Sequence, residues 1–263
     1  MKILISMAGH SRRFQKAGFT TPKPFIDING KSMIERVVQM FSPQDEFVFI
    51  CNKEHLEDVL YLSVLKKVSR RYQIVPVDPH EGGPVYSALS ADDYIFDKSE
   101  PVILTYCDFT MQWDYRGFLQ KAAQYEGAIA VFKGFQPASM GDTYYAYLRA
   151  NANMEMVELR EKKSFTNNRL NEYASTGVYY VDQWQTFKKY AKEIMADNNA
   201  GLNEAYCSLI YNPMVRDGLR VCLCEVEKFI CWGTPEDFME YQFWSRYFSR
   251  QGSRQQAYEV AND

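Results

Sequence analysis

Short, almost wholly apolar runs alternate along the chain with longer segments in which apolar residues recur every three or four positions. That is the pattern of buried strands interleaved with amphipathic helices. The first run spans residues 2–7 and stops at Ala8-Gly9. Further strands are predicted at 46–51, 72–77, 101–107 and 128–132, and a short one at 25–28 closed by the turn pair Asn29-Gly30. Helices are predicted between them, at about 32–41, 53–69 and 114–125, and from Gly82-Gly83-Pro84 onward. Ser32-Met33-Ile34-Glu35 has the form of a capping box, and Pro84 suits the first turn of a helix. Strands without polar alternation are covered on both faces, which calls for a parallel sheet between two layers of helices.

The second half changes character. Residues 144–150 and 154–160 read as antiparallel strands joined through Asn151-Ala152-Asn153, with another strand at 175–181. Helices at 183–196 and 204–216 follow, then a strand at 219–227. A last helix is capped by Thr234, carries Pro235 at its first position, and is expected to end near Phe248. Residues 251–263 are polar and lack core residues, so a disordered tail is expected there. The fold class is therefore mixed α/β, with a mainly parallel central sheet and helices on both faces. One domain over residues 1–250 is expected, its halves meeting near residue 135.

Composition narrows the partners. With 30 Lys and Arg against 33 Asp and Glu the formal charge is −3, and the basic pairs are short and scattered. Nucleic acid is an unsuitable partner for such a chain, whereas a basic pocket for one small anion remains open. The six cysteines include no CxxC spacing and read as reduced thiols. The N-terminal apolar stretch is short for a signal peptide, and no run reaches the roughly 20 apolar residues of a membrane helix. A cytoplasmic protein with no membrane partner is expected, and homo-oligomerisation is left open.

Four clusters could carry chemistry. Ala8-Gly9-His10-Ser11-Arg12-Arg13-Phe14, followed by Pro22-Lys23-Pro24, puts a glycine loop and two cations after the first strand, where backbone N–H groups and charge could meet a polyphosphate. It is neither a Walker A loop nor a Rossmann fingerprint, and alone it equally suits a solvated surface loop. Gly82-Gly83-Pro84 lies at the strand end where open α/β sheets bind ligands, and glycine lets a flat base approach the backbone. Asp108 closes the strand Val102-Ile103-Leu104-Thr105-Tyr106-Cys107, well placed for a metal beside phosphates or, more plainly, for capping a turn. Glu161-Lys162 could grip sugar hydroxyls and a phosphate, or form a charged turn. The three histidines are far apart and show no metal-like spacing.

The order of these clusters, with Ile28-x-Gly30-Lys31-x-Met33-Ile34 after the first, resembles the sugar-phosphate nucleotidyltransferase family over about residues 2–245. That family has a Rossmann-like, glycosyltransferase-A-like fold. The resemblance implies a nucleotide-binding half at about 1–135 and an acceptor-binding half at about 136–250. It implies an enzyme that takes a nucleoside triphosphate and a sugar phosphate, releases pyrophosphate, uses Mg²⁺, and serves surface polysaccharide synthesis. By the same resemblance, Met7, Ala8, Gly9, Ser11, Gly82 and Gly83 would contact the nucleotide. Arg13 and Lys23 would bind its phosphates, and Asp108 would hold the metal. Glu161, Lys162 and Gly177 would face the acceptor. Trp232-Gly233-Thr234-Pro235-Glu236-Asp237 resembles the closing motif, but Cys231 stands where many members carry a second metal-binding Asp. A thiol is a poor ligand for hard Mg²⁺, so either Glu225 or Glu227 serves, or water fills the site, or catalysis is altered. Two other readings stay open: a glycosyltransferase of the same fold, disfavoured by the missing second Asp after Asp108, and a nucleotide-binding module without turnover.

Overall fold

The computed structural model describes residues 1–139, 144–196 and 204–260. Its strands are β1 (Lys2–Met7), β2 (Asp27–Ile28), β3 (Lys31–Ser32), β4 (Glu46–Asn52), β5 (Tyr72–Val77), β6 (Val102–Tyr106), β7 (Phe109–Gln112), β8 (Gly127–Phe132), β9 (Ala146–Ala150), β10 (Met156–Glu161), β11 (Tyr173–Val181), β12 (Val221–Glu225) and β13 (Lys228–Cys231). Its α-helices are α1 (Arg12–Lys16), α2 (Met33–Val38), α3 (Lys53–Leu56), α4 (Val59–Val68), α5 (Gly83–Leu89), α6 (Tyr115–Ala122), α7 (Trp184–Ala196), α8 (Tyr211–Arg216) and α9 (Pro235–Val260).

Nine strands form the central sheet, in the order β10-β9-β11-β6-β1-β4-β5, with β8 joined to β11 and β12 to β8. The β6-β1-β4-β5 portion is parallel, and β11 is antiparallel to β6, β8 and β9. Central β1 shows why the parallel strands lack polar alternation. Ile3, Ile5 and Met7 pack into one core layer and Leu4 into the other, so both faces of the strand need apolar residues. Burying one such side chain contributes roughly 1.5–3 kcal/mol. A third cluster of Phe14, Ile26, Ile28, Met33, Trp232 and Phe238 lies beneath the segment after β1 and anchors it.

The capping box forms in full: the Ser32 hydroxyl accepts from the Glu35 N–H and the Glu35 carboxylate accepts from the Ser32 N–H. Several expected helices differ in extent. The segment 53–69 divides into α3 and α4 because the Asp58 carboxylate accepts from the Leu60 N–H at 2.8 Å and starts a second helix. The expected helix at 204–216 is a 3₁₀ turn (Cys207–Ile210) followed by α8. The Ala205 carbonyl accepts from the Val85 N–H at 3.0 Å, which draws residues 204–205 to the start of α5 and keeps them out of the helix. The last helix does not end near Phe248 but continues to Val260; residues 261–263 of the expected tail lie outside the described residues.

Candidate active site

The segments after β1, β5 and β6 all emerge at the C-terminal edge of the parallel strands, where open α/β sheets bind ligands. Together they line a cleft of about 500 Å³. Met7, Ala8, Gly9, Ser11, Arg13, Lys23, Gly83 and Asp108 all line it. Gly82, Glu161, Lys162 and Gly177 do not.

Lys23 is held at both ends. Its backbone N–H donates to the Ser11 hydroxyl at 3.2 Å, and its ammonium donates to Asp108 Oδ2 at 2.5 Å and to the Gly233 carbonyl at 3.1 Å. Burial pulls the ammonium pKa down, but the adjoining Asp108 carboxylate outweighs it and holds the value above normal. Ser11 is itself in the left-handed region at φ 55°, rare for a residue with a Cβ, so its part in the cleft includes tying the turn ahead of Arg13 to the backbone of Lys23. Arg13 is exposed and makes no hydrogen bond or ion pair with another described residue that would compete for its guanidinium. Arg12 pairs instead with Glu81 across the cleft mouth.

A two-stranded ribbon completes the cleft floor. β7 leaves the sheet after Asp108 and pairs with β13, placing Cys231 opposite Phe109. The Trp232 N–H then donates to the Asp108 carbonyl at 2.7 Å, which brings Gly233 to the Lys23 ammonium. Cys231 therefore does stand beside Asp108. Burial, reinforced by the Asp108 charge, pushes its thiol pKa up to about 12. A thiol held neutral is not a Mg²⁺ ligand. Neither Glu225 nor Glu227 lines the cleft. Among the described residues no group of three His, Cys, Asp or Glu side chains is arranged to hold a metal. Asp108 alone fits the way Mg²⁺ binds with substrate, through one or two carboxylates plus phosphate oxygens and water.

The two glycines of the α5 turn differ. Gly83 has φ +79°, and a Cβ there would lie 2.8 Å from the Ala205 backbone nitrogen, so the close approach of residues 204–205 explains the glycine. Gly82 does not line the cleft, and a Cβ there would lie 2.9 Å from the Tyr86 Cβ. Gly177 occupies an irregularity in β11 at φ +96°, where a Cβ would meet the Tyr106 ring at 2.8 Å. It supports the cleft through Tyr106, which does line it.

Glu161 and Lys162 contact Ser208 and Tyr206 rather than the cleft. Burial pushes the Glu161 carboxyl pKa up, opposed by the Ser208 hydroxyl that donates to it and by Lys162. The Lys162 ammonium donates to the Tyr206 hydroxyl and lies 4.4 Å from its ring centroid. Burial pushes the Tyr206 pKa up and the Arg13 guanidinium opposes it, so this ring lies within the field of both Lys162 and Arg13.

Two histidines passed over for lack of metal spacing both line the cleft: His10 from the segment after β1 and His80 from the segment after β5. His80 Nδ1 accepts from the Gly82 N–H at 3.2 Å, which leaves Nε2–H to donate to the Ser87 hydroxyl at 2.9 Å. Burial, followed by the nearby His10, lowers the His80 pKa. Their position in two loops at the same sheet edge was the available signal. Glu204, which also lines the cleft, had none, because its place depends on the contact with Gly83.

The MobA-like NTP transferase domain profile matches residues 3–166. No curated protein matches the chain in sequence. Among solved structures, the nucleoside-diphosphate-sugar pyrophosphorylase from Vibrio cholerae RC9 superimposes with a TM-score of 0.75 at 18% identity, covering 92% of this chain and 99% of that one. A UDP-glucose pyrophosphorylase complexed with UDP-glucose gives 0.71 at 16%, covering 95% and 98%. The inositol-1-phosphate CTP transferase from T. maritima gives 0.67 at 17%, covering 90% of each chain. The mixed sheet with helices on both faces is thus the fold these enzymes share. No helix among the described residues is long and apolar enough to cross a membrane.

Proposed function

The chain belongs to the MobA-like NTP transferase family, and from that membership we propose that it joins a nucleoside triphosphate to a phosphorylated sugar or similar alcohol phosphate, releasing pyrophosphate. The observation that carries this reading is the convergence of Arg13, Lys23 and Asp108, distant in sequence, on one cleft. The fold neighbours lend support, since their names specify nucleotide sugars or inositol 1-phosphate with CTP.

In the proposed reaction an oxygen of the acceptor phosphate attacks the α-phosphorus of the triphosphate. A bond forms between that oxygen and phosphorus, the bond to the β-phosphate oxygen breaks, and pyrophosphate leaves. A phosphate monoester is already largely ionised at neutral pH, so no general base is required. The obstacle is repulsion between two anions and the charge gathering on the leaving group. Arg13, open to the cleft, is free to pair with the triphosphate, and Lys23 adds a second cation held in place by its Ser11 tether. Catalysis of this kind is positioning plus charge stabilisation. Mg²⁺ at Asp108, completed by phosphate oxygens and water, would supply further neutralisation. Lys162 and Glu161 would reach an acceptor lying over Tyr206. Service in surface polysaccharide synthesis in the cytoplasm fits an enzyme of this kind and belongs to the same proposal.

The test is a matrix of four nucleoside triphosphates against sugar 1-phosphates and related alcohol phosphates, read as pyrophosphate. At least one pair should yield pyrophosphate in proportion to enzyme. Nucleotide binding with no product from any pair would instead favour a binding module without turnover, the reading to which Cys231 points. Asp108→Asn should raise the Mg²⁺ concentration needed for half-maximal rate; an unchanged Mg²⁺ titration would remove Asp108 from the metal site.

A further inference from the structure

The six cysteines differ in their surroundings. Cys51, Cys107, Cys207 and Cys222 are buried, and Cys224 and Cys231 reach the surface in part. Burial and the Asp108 charge keep the Cys231 thiol protonated. Cys224 is different because it is one of a pair. Cys222 and Cys224 alternate with Val221 and Leu223 along β12, so both thiols lie on one face of the strand. Their sulfurs are 3.9 Å apart and share an S–H···S hydrogen bond.

A cation is fixed beside them. The Lys121 ammonium, from α6, donates at 2.9 Å to the carbonyl of Leu223, the residue between the two cysteines. Either sulfur can donate within the pair. The negative charge falls on Cys224, which is nearer water, while the buried Cys222 keeps its proton. The hydrogen bond from Cys222 therefore lowers the Cys224 pKa against the opposing effect of burial, and Lys121 lowers it further. A partly exposed thiolate beside a cation, with a second thiol next to it, is the arrangement of a redox-active cysteine and its resolving partner.

The strand is placed to yield to a bond between them. Two residues apart on a strand, Cα atoms are separated by about 6.4–6.8 Å, the upper end of what a disulfide spans. Closing the bond therefore contracts β12 locally. β12 is paired along its length with β8, and its other side carries an isolated bridge between Cys222 and Glu155. A disulfide that holds its strand contracted is readily reduced again.

We propose that Cys224 and Cys222, beside Lys121, are a modification site for hydroperoxides, which oxidise the pair to a disulfide in two steps. The Cys224 thiolate attacks one peroxide oxygen. An S–O bond forms, the O–O bond breaks, and the alkoxide or hydroxide that leaves takes up the proton the thiol gave to solvent, with Cys224 now a sulfenic acid. The Cys222 sulfur then attacks the Cys224 sulfur. The S–S bond forms, the S–O bond breaks, and the Cys222 proton departs with the hydroxyl as water. The two thiols supply two electrons and the hydroperoxide accepts them. The site stands on β12 and does not rest on the chemistry assigned to the cleft.

Peptide mapping of the full chain tests it. Native protein is exposed to a slight excess of hydrogen peroxide, then unfolded with N-ethylmaleimide and digested with trypsin. Both cysteines fall on one peptide, residues 221–228, released after Arg220 and Lys228. That peptide should be unlabelled and lighter by two hydrogen atoms, while the other four cysteines carry the label. Dithiothreitol before the label should restore both sites. Cys222→Ala should stop at a Cys224 sulfenic acid that a cyclic 1,3-dione traps, and Cys224→Ser should leave Cys222 labelled. Lys121→Met should slow disulfide formation roughly threefold or more at neutral pH, by raising the Cys224 pKa. A doubly labelled peptide from peroxide-treated wild type, at a dose that oxidises a small free thiol, overturns the proposal. So does Cys224 carried to a sulfinic acid with Cys222 still labelled, or a disulfide that forms as fast in Lys121→Met as in wild type.

Discussion

Arg13 and Lys23 carry the same charge but differ in how they are held, and their expected roles differ accordingly. Lys23 is tethered through Ser11 and already paired with Asp108, so it adds positive charge at a fixed place, whereas Arg13 faces the cleft uncommitted. Arg13→Ala should therefore slow turnover by roughly 10²–10³-fold, the cost of one preorganised charge-stabilising donor, with little change in the melting temperature of the free protein. Steady-state kinetics within twofold of wild type would remove Arg13 from the mechanism. His80 adds a pH dependence. Its folded pKa lies below the unfolded value, so the stability contributed by the neutral ring is present above about pH 6.5 and is lost as pH falls through the folded pKa. Protonation at Nδ1 removes the acceptor for the Gly82 N–H and places positive charge between His10 and Glu204. Thermal melts of wild type and His80→Asn from pH 7.5 to 5 should converge on acidification; parallel curves would contradict this. The Arg13–Lys23–Asp108 set was legible in sequence because each residue ends or follows an unmistakable strand. His80 was not, since its significance depends on which strand ends lie side by side.

At the scale of elements, the parallel strands could be read because each is apolar on both faces. The ribbon of β7 and β13 could not, since runs of four residues are too short to stand out, even though Phe109-Thr110-Met111-Gln112 alternates apolar and polar. Yet that ribbon brings Gly233 and Cys231 to Asp108. Residues 204–206 were misread as helix for a related reason: their backbone is engaged by the α5 turn, a tertiary contact that local propensity does not encode. That contact gives an element-level test. Gly83→Ala introduces both a strained positive φ and a Cβ within 2.8 Å of the Ala205 nitrogen. It should destabilise the protein by about 1–3 kcal/mol and weaken nucleotide binding. Chemical denaturation unchanged to within a few tenths of a kcal/mol would show that the two segments separate freely.

For the whole molecule, a cleft assembled from segments distant in sequence should be bound together by its ligand. Nucleoside triphosphate with Mg²⁺ at 100 times its dissociation constant should stabilise the fold by about 2.7 kcal/mol, raising the melting temperature by roughly 5–10 °C, and Arg13→Ala should lose most of that rise at the same ligand concentration. The most direct measurement is ³¹P NMR of one tube holding the enzyme, Mg²⁺, a nucleoside triphosphate and the sugar phosphate that performs best in the pyrophosphate screen. The expected result is that the acceptor and α-phosphate signals give way together to the coupled pair of a new diphosphate diester, with an equal amount of pyrophosphate. Appearance of nucleoside diphosphate in place of pyrophosphate, or of pyrophosphate without the diester, would contradict nucleotidyl transfer in this cleft.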